Sequence, residues 1–312
     1  MTLTELRYLV ALAHTRHFGR AAESCFVSQP TLSVAIKKLE DELGVQLFER
    51  RKQEVTLTDV GARVVEQAQR VMEEVAAIKE LANDGRDQLK GALRLGAIYT
   101  LGPYLFPPLI PLLHERAPHM PLIIEENYTA RLSERLRQGE LDAALVALPF
   151  AEPGLVTLPL YDEPFVVVIP SSHPWSARST IAAEELAQEP LLMLGSGHCF
   201  REQVMEACPG CGQRLDHPSL AQTVEGTSLE TIRHMVASGM GITVLPATAV
   251  AADRYAQRLV AIRRFAPPEP RRRVALVWRA SFPRPKAIEA LRSAILESGL
   301  SGIEPLARTS QQ

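Results

Sequence analysis

Three of the four cysteines of the chain fall within positions 199–211, in the run Gly195-Ser196-Gly197-His198-Cys199-Phe200-Arg201-Glu202-Gln203-Val204-Met205-Glu206-Ala207-Cys208-Pro209-Gly210-Cys211. Two glycines and a serine precede His198, and Pro209-Gly210 closes a stretch free of helix breakers, so the run reads as loop, short helix and turn. Cys199 then lies in the first helical turn. There, unpaired backbone N–H groups and the positive end of the helix dipole favour a thiolate, with His198 and Arg201 close in sequence. An oxidisable thiolate reacts first to a sulfenic acid and then, with a second thiol, to a disulfide. Cys208 is nine positions further on (208 minus 199), roughly 13 Å along an intact helix at about 1.5 Å per residue. A disulfide tolerates Cα separations only up to about 7 Å. Joining the two therefore requires the helix to unwind, which makes this segment a candidate redox switch.

Other chemistry is open to the same residues. Free cysteines are among the most buried residue types and could fill a core. His198, Cys199, Cys208, Cys211 and His217 are zinc-ligand types, but only Cys208-Pro209-Gly210-Cys211 has tight ligand spacing. No second C-x-x-C or H-x-x-x-H pair completes such a site. The same spacing also admits a redox pair in the thioredoxin manner.

At 312 residues the chain is long enough for two or three domains. A net charge of −2 points by itself to neither nucleic acid nor a membrane surface. Met1-Thr2-Leu3-Thr4-Glu5 lacks the basic start and apolar core of a signal peptide. No apolar run approaches membrane-spanning length. Four thiols without an export signal point to a reducing cytoplasm.

The first sixty residues are dense with helix signals. Thr2 and Glu5 have capping-box spacing before the apolar face of Leu6, Leu9, Val10 and Ala13. Residues 18–25 form a second short helix, and Val27-Ser28-Gln29-Pro30 a turn with Ser28 as N-cap and Pro30 in the next helical turn. The third helix, Gln29–Leu43, is expected to bury Leu32, Ile36, Leu39 and Leu43 and to stop at Gly44. Its other face carries Gln29, Thr31, Ser33, Lys37 and Lys38, side chains suited to base edges and phosphates in a major groove. Alternating Val55 and Leu57 after the basic stretch Arg50-Arg51-Lys52 suggest a hairpin wing laid along the DNA backbone. Val64, Ala68, Val71, Val75, Ile78 and Ala82 then step by four and three, a heptad seam for self-pairing or for packing on its own domain.

From Lys90 strands and helices alternate, which implies α/β units around mostly parallel sheet, with ligands at the carboxyl ends of strands. Thr100 and Thr129 sit at two strand-to-helix junctions and could face one site. A capping hydroxyl is the other role open to Thr129.

These stretches together resemble the LysR-type transcriptional regulators. The resemblance is carried by Phe18-Gly19-Arg20-Ala21-Ala22 through Ser28-Gln29-Pro30-Thr31-Leu32-Ser33, by Leu39-Glu40-Asp41-Glu42-Leu43-Gly44-Val45-Gln46-Leu47-Phe48-Glu49-Arg50, and by Gly239-Met240-Gly241-Ile242-Thr243-Val244-Leu245-Pro246. Gly197-His198-Cys199-Phe200-Arg201-Glu202-Gln203 with Cys208 is similar to the peroxide-sensing members.

The resemblance implies an all-α winged helix-turn-helix N-terminal domain at 1–60, a dimerising linker helix at 61–83 and a linker at 84–90. An α/β two-lobed regulatory domain like the periplasmic binding proteins would follow at 91–300; the residues beyond it, 301–312, read from the sequence itself as a disordered tail. The lobes would be 91–162 plus 266–300, and 163–265. Implied partners are a double-stranded DNA operator, hydrogen peroxide, a homodimer assembling to a homotetramer, RNA polymerase, and a cytoplasmic thiol reductant for reset. The output would be activation of antioxidant genes, with no enzymatic activity, no metal, and no cofactor beyond a reversible disulfide.

Position by position, the resemblance makes Cys199 the peroxidatic thiol and Cys208 the resolving one. Thr100, Thr129 and His198 would hold peroxide and water near the sulfur, while Arg201 and Arg272 would stabilise the thiolate. Gln29, Pro30, Thr31, Ser33, Lys37, Arg50 and Arg51 would face DNA. Cys211 lies outside the family pattern, leaving open a competing partner for Cys199 or a terminal Cys208–Cys211 bond. A metabolite sensor of the same family with inert thiols, and a thiol peroxidase, are the alternatives.

Overall fold

The computed structural model of the chain describes residues 1–51, 54–82, 88–208, 210–211, 228–251 and 259–306. Most of the expected linker at 84–90, and His217, lie outside them. Helix α1 (Leu3–Thr15) starts on the expected capping box between Thr2 and Glu5. It packs with α2 (Phe18–Ser24) and α3 (Gln29–Leu43) around Leu9, Leu12, Ala21, Leu32, Ile36 and Leu39. The Ser28 side chain accepts from the Thr31 N–H, Pro30 occupies the first turn, and Gly44 ends α3 with φ +69°. Leu43, expected in the core, is 38% exposed because the last turn of α3 runs past the packed face. Strands β1 (Phe48–Arg51) and β2 (Glu54–Leu57) pair antiparallel as the wing.

Helix α4 (Asp59–Ala82) carries the heptad seam, and its two halves differ. Ala68 is buried in the helix-turn-helix core, with Val64 and Val71 packed against it, while Ile78 is 63% exposed. The N-terminal part of the seam thus packs on its own domain. Among the described residues of the seam, Ile78 in the C-terminal part presents an apolar side chain outward.

The remaining chain gives β3 (Leu93–Ile98), α5 (Gly102–Arg116), β4 (Leu122–Asn127), α6 (Thr129–Arg137), β5 (Ala143–Ala147) and β6 (Leu155–Pro170). It continues through β7 (Thr180–Ile181), β8 (Leu191–Leu192), α7 (Cys199–Ala207), α8 (Leu229–Ala237), β9 (Ile242–Pro246), α9 (Ala247–Ala251) and β10 (Val260–Phe265). Last come β11 (Arg271–Arg279), α10 (Pro285–Leu296) and β12 (Glu304–Pro305). The main strand order is β4-β3-β5-β11-β6-β10-β7.

The sheet is mixed, not mostly parallel. β3 runs parallel to β4 and β5, but β11 is antiparallel to β5 and β6, and β6 is antiparallel to β9 and β10. The reason is the long strand β6. Its first part, as far as Pro164, pairs with β11, and from Phe165 onward it pairs with β9 and β10. One strand therefore serves two lobes, each with its own core. Leu95, Leu145, Leu276 and Leu291 belong to the first, and Val167, Phe200, Val236 and Phe265 to the second. The expected tail departs from disorder at its start, where Glu304 and Pro305 pair with Asp162 and Tyr161. The linker helix touches the first lobe through Glu73, whose carboxylate lies 2.9 Å from the Arg279 guanidinium.

Candidate redox site and DNA-facing helix

Cys199 opens α7, with His198 as N-cap, and Cys208 caps the other end. The helix joins the two lobes: Cys199 packs against the first core, whereas Phe200, Val204 and Cys208 are buried in the second. The approach to α7 depends on Gly197, whose φ is +93° and where a Cβ would lie 3.4 Å from the Tyr128 ring. A side chain in that conformation costs about 1–2 kcal/mol. Gly197→Ala is therefore expected to lower the melting temperature of the reduced protein by a few degrees, measured by calorimetry.

Thr100, Thr129, His198 and Cys199 meet around one small cavity, closed further by Tyr99, Asn127 and Tyr128. About 10 Å³ of it is open to the centre of a water-sized molecule, the scale of one small polar occupant. The Thr100 hydroxyl accepts from the Arg272 guanidinium at 2.7 Å, which leaves its own proton to donate elsewhere. Thr129 is not the cap of α6, because Tyr128 holds that position. Its Oγ1 is buried and has no hydrogen-bond partner among the described residues. Buried hydroxyls are normally paired, so this one is set to receive a polar molecule. His198 lies against the rings of Tyr128 and Tyr99, at centroid distances of 4.8 and 5.8 Å. Burial lowers its pKa from 6.5. At neutral pH it is an uncharged imidazole, offering one donor and one acceptor instead of a counter-ion.

Arg272, expected as a cation that stabilises the thiolate, carries a set of buried partners of its own. Its fully buried guanidinium pairs with Glu163 at 2.7 Å, donates to the hydroxyl and carbonyl of Thr100, and lies 5.4 Å from the Phe200 ring centroid. Glu163 in turn accepts from the Thr248 N–H at 3.0 Å and from its hydroxyl. This buried network fixes Thr100 from behind and links the turn after β3 with β6, β11 and α9. Arg201 donates to the Leu194 carbonyl at 2.8 Å, tying α7 to the strand side of the preceding loop.

Cys208 differs most from expectation. It is bonded to Cys211 with a Cα separation of 5.6 Å, while Cys199 is a free thiol. In this state Cys208 cannot resolve a sulfenic acid at Cys199, and neither joined sulfur is available as a zinc ligand. Both bonded cysteines do fill the second core, as the packing reading of the thiols anticipated.

On α3, Gln29, Pro30, Thr31 and Lys37 are exposed, and Ser33 is half-buried. The Thr31 hydroxyl shares a 2.8 Å hydrogen bond with Ser28, so part of its capacity goes to the helix cap. Lys38 pairs with Glu5 at 3.2 Å. Arg50 and Arg51 lie in the first wing strand; their side chains are outside the description. Val34, which the sequence reading passed over, is 69% exposed on α3 and has the apolar character that suits a thymine methyl.

The family described as "Bacterial regulatory helix-turn-helix protein, lysR family" matches residues 3–62, and "LysR substrate binding domain" matches residues 86–299. The chain belongs to the LysR family. LysR-family relatives include the hydrogen peroxide-inducible genes activator of Pectobacterium carotovorum subsp. carotovorum, 43% identical over 99% of this chain and 100% of that protein. The DNA-binding transcriptional dual regulator OxyR of Escherichia coli K12 is 44% identical over 95% of each chain. Among solved structures, the full-length OxyR C199D of Pseudomonas aeruginosa is 58% identical, with a TM-score of 0.82 over 95% of this chain and 98% of that one. The two-part architecture of a helix-turn-helix domain and a two-lobed α/β regulatory domain is the one this LysR-family structure shares.

Tyr99, Asn127 and Tyr128 of the cavity wall were missed in the sequence. They neighbour Thr100 and Thr129 at the carboxyl ends of β3 and β4, the position where ligands gather in such sheets, and that was the available signal.

Proposed function

We propose that this LysR-family protein is a DNA-binding transcriptional activator switched by hydrogen peroxide at Cys199. The observation that carries the reading is the buried Thr129 hydroxyl, which has no hydrogen-bond partner among the described residues and shares a small cavity with the Cys199 thiol and the Thr100 hydroxyl. The space beside the sulfur is on the scale of one small polar molecule. The Cys199 sulfur, as thiolate, attacks one peroxide oxygen, the O–O bond breaks, and the departing oxygen takes a proton to leave as water. Thr100, Thr129 and His198 orient the peroxide and steady the departing oxygen by hydrogen bonds.

In the dithiol form, Cys208 then condenses with the Cys199 sulfenic acid, releasing a second water. The bond requires α7 to unwind, which withdraws Cys208 from the second core while Cys199 stays against the first. Repacking of the lobes changes how subunits sit in a homodimer and homotetramer, with the outward part of α4 pairing subunits and α3 and the wing meeting the operator. The resulting contact with RNA polymerase activates antioxidant genes, and a cytoplasmic thiol reductant resets the switch. The names of the relatives, hydrogen peroxide-inducible genes activators, support this reading.

A reporter driven by the protein's own operator tests it. Cys199→Ser is expected to abolish induction by peroxide while operator binding by the reduced protein persists. Undiminished induction in this variant would refute the reading.

A further inference from the structure

Cys211 is a buried thiol position that the proposed peroxide reaction does not use, yet the structure joins it to Cys208 and leaves Cys199 free. We propose that Cys208–Cys211 is a second redox site, which takes over the disulfide from the Cys199–Cys208 bridge. The inference rests on the peroxide reading above and extends it by one exchange step.

The two bonds require different things of the chain. A Cys199–Cys208 bond cannot form across an intact α7, since the helix holds its ends roughly 13 Å apart by the rise per residue. The Cys208–Cys211 bond spans 5.6 Å between Cα atoms while α7 stays helical from Cys199 to Ala207 and both sulfurs remain in the second core. The two bonds share Cys208, so a simple thiol–disulfide exchange connects them. The Cys211 thiolate attacks the Cys208 sulfur of the bridge, the Cys199–Cys208 bond breaks, and the electron pair leaves on Cys199 as a thiolate. One disulfide is consumed and one formed, and no further oxidant enters. Exchange lets α7 rewind and Phe200 and Val204 return to the second core. The migrated form therefore has the shape of the unswitched protein while still holding the oxidising equivalents. The signal ends by migration of the bond, before any reductant arrives, and the protein stays refractory until Cys208–Cys211 is reduced.

The test is an acid-quenched time course on reduced full-length protein given one equivalent of peroxide, with free thiols alkylated and disulfides mapped by mass spectrometry. The expected result is a Cys199–Cys208 bond that rises first and decays as Cys208–Cys211 accumulates and Cys199 becomes alkylatable again. In Cys211→Ser and Cys211→Ala, whose folding is checked by circular dichroism of the reduced forms, the Cys199–Cys208 bond should persist at least tenfold longer. A Cys199–Cys208 bond that stays at full occupancy in the wild type, with Cys211 alkylatable throughout, overturns the exchange while leaving the peroxide reading intact. Absence of any oxidation at Cys199 overturns both.

Discussion

Arg272→Leu is expected to destabilise the reduced protein by about 3–5 kcal/mol. The substitution leaves the Glu163 carboxylate without its cation in a site where both side chains have no solvent exposure. It also removes two hydrogen bonds to Thr100 and the contact with the Phe200 ring. For a regulatory domain of this size, such a loss lowers the melting temperature by roughly 10 °C, measurable by calorimetry. The double variant Arg272→Leu with Glu163→Leu should recover much of the loss, because replacing a buried ion pair by apolar groups is often neutral while breaking it is not. A single variant as stable as wild type would show that the network does not hold the two lobes.

Thr129→Val is expected to separate stability from reactivity. The hydroxyl it removes is buried and without a partner among the described residues. Its loss should leave stability unchanged or raise it by about 1 kcal/mol. The same hydroxyl is placed to hydrogen-bond the peroxide, and a hydrogen bond to a group gaining charge contributes about 1.5–3 kcal/mol. Oxidation of Cys199 should therefore slow by roughly 10- to 100-fold. Stopped-flow oxidation alongside thermal melts checks both halves. A variant that is less stable but reacts at the wild-type rate would assign Thr129 to structure alone.

The elements written in local signals were legible in the sequence. The capping box at Thr2 and Glu5, Ser28 and Pro30 at the head of α3, and Gly44 at its end each act through neighbours in the chain. The short helix that opens at Cys199 was legible for the same reason. Longer-range features were not. Nothing local in Leu155–Pro170 says that one strand serves two lobes, since its exchange of partners depends on where β9, β10 and β11 lie. The seam of α4 reads as a uniform heptad, yet the helix-turn-helix core covers Ala68 and leaves Ile78 outside.

The site divides along the same line. Thr100, Thr129, His198 and Cys199 were expected together and line one cavity. Arg272 was placed near it for its charge. The charge is neutralised by Glu163, whose proximity comes from β6 pairing with β11 and has no sequence signature. The bond between Cys208 and Cys211 was one of several pairings the spacing left open.

Which sulfur meets peroxide first decides the proposed mechanism. Fully reduced full-length protein, given one equivalent of hydrogen peroxide with a sulfenic-acid trapping reagent present, is digested and its adducts located by mass spectrometry. Trapping is expected at Cys199, with Cys25, Cys208 and Cys211 unlabelled. First trapping at any of those three, with Cys199 still reduced, would contradict that mechanism.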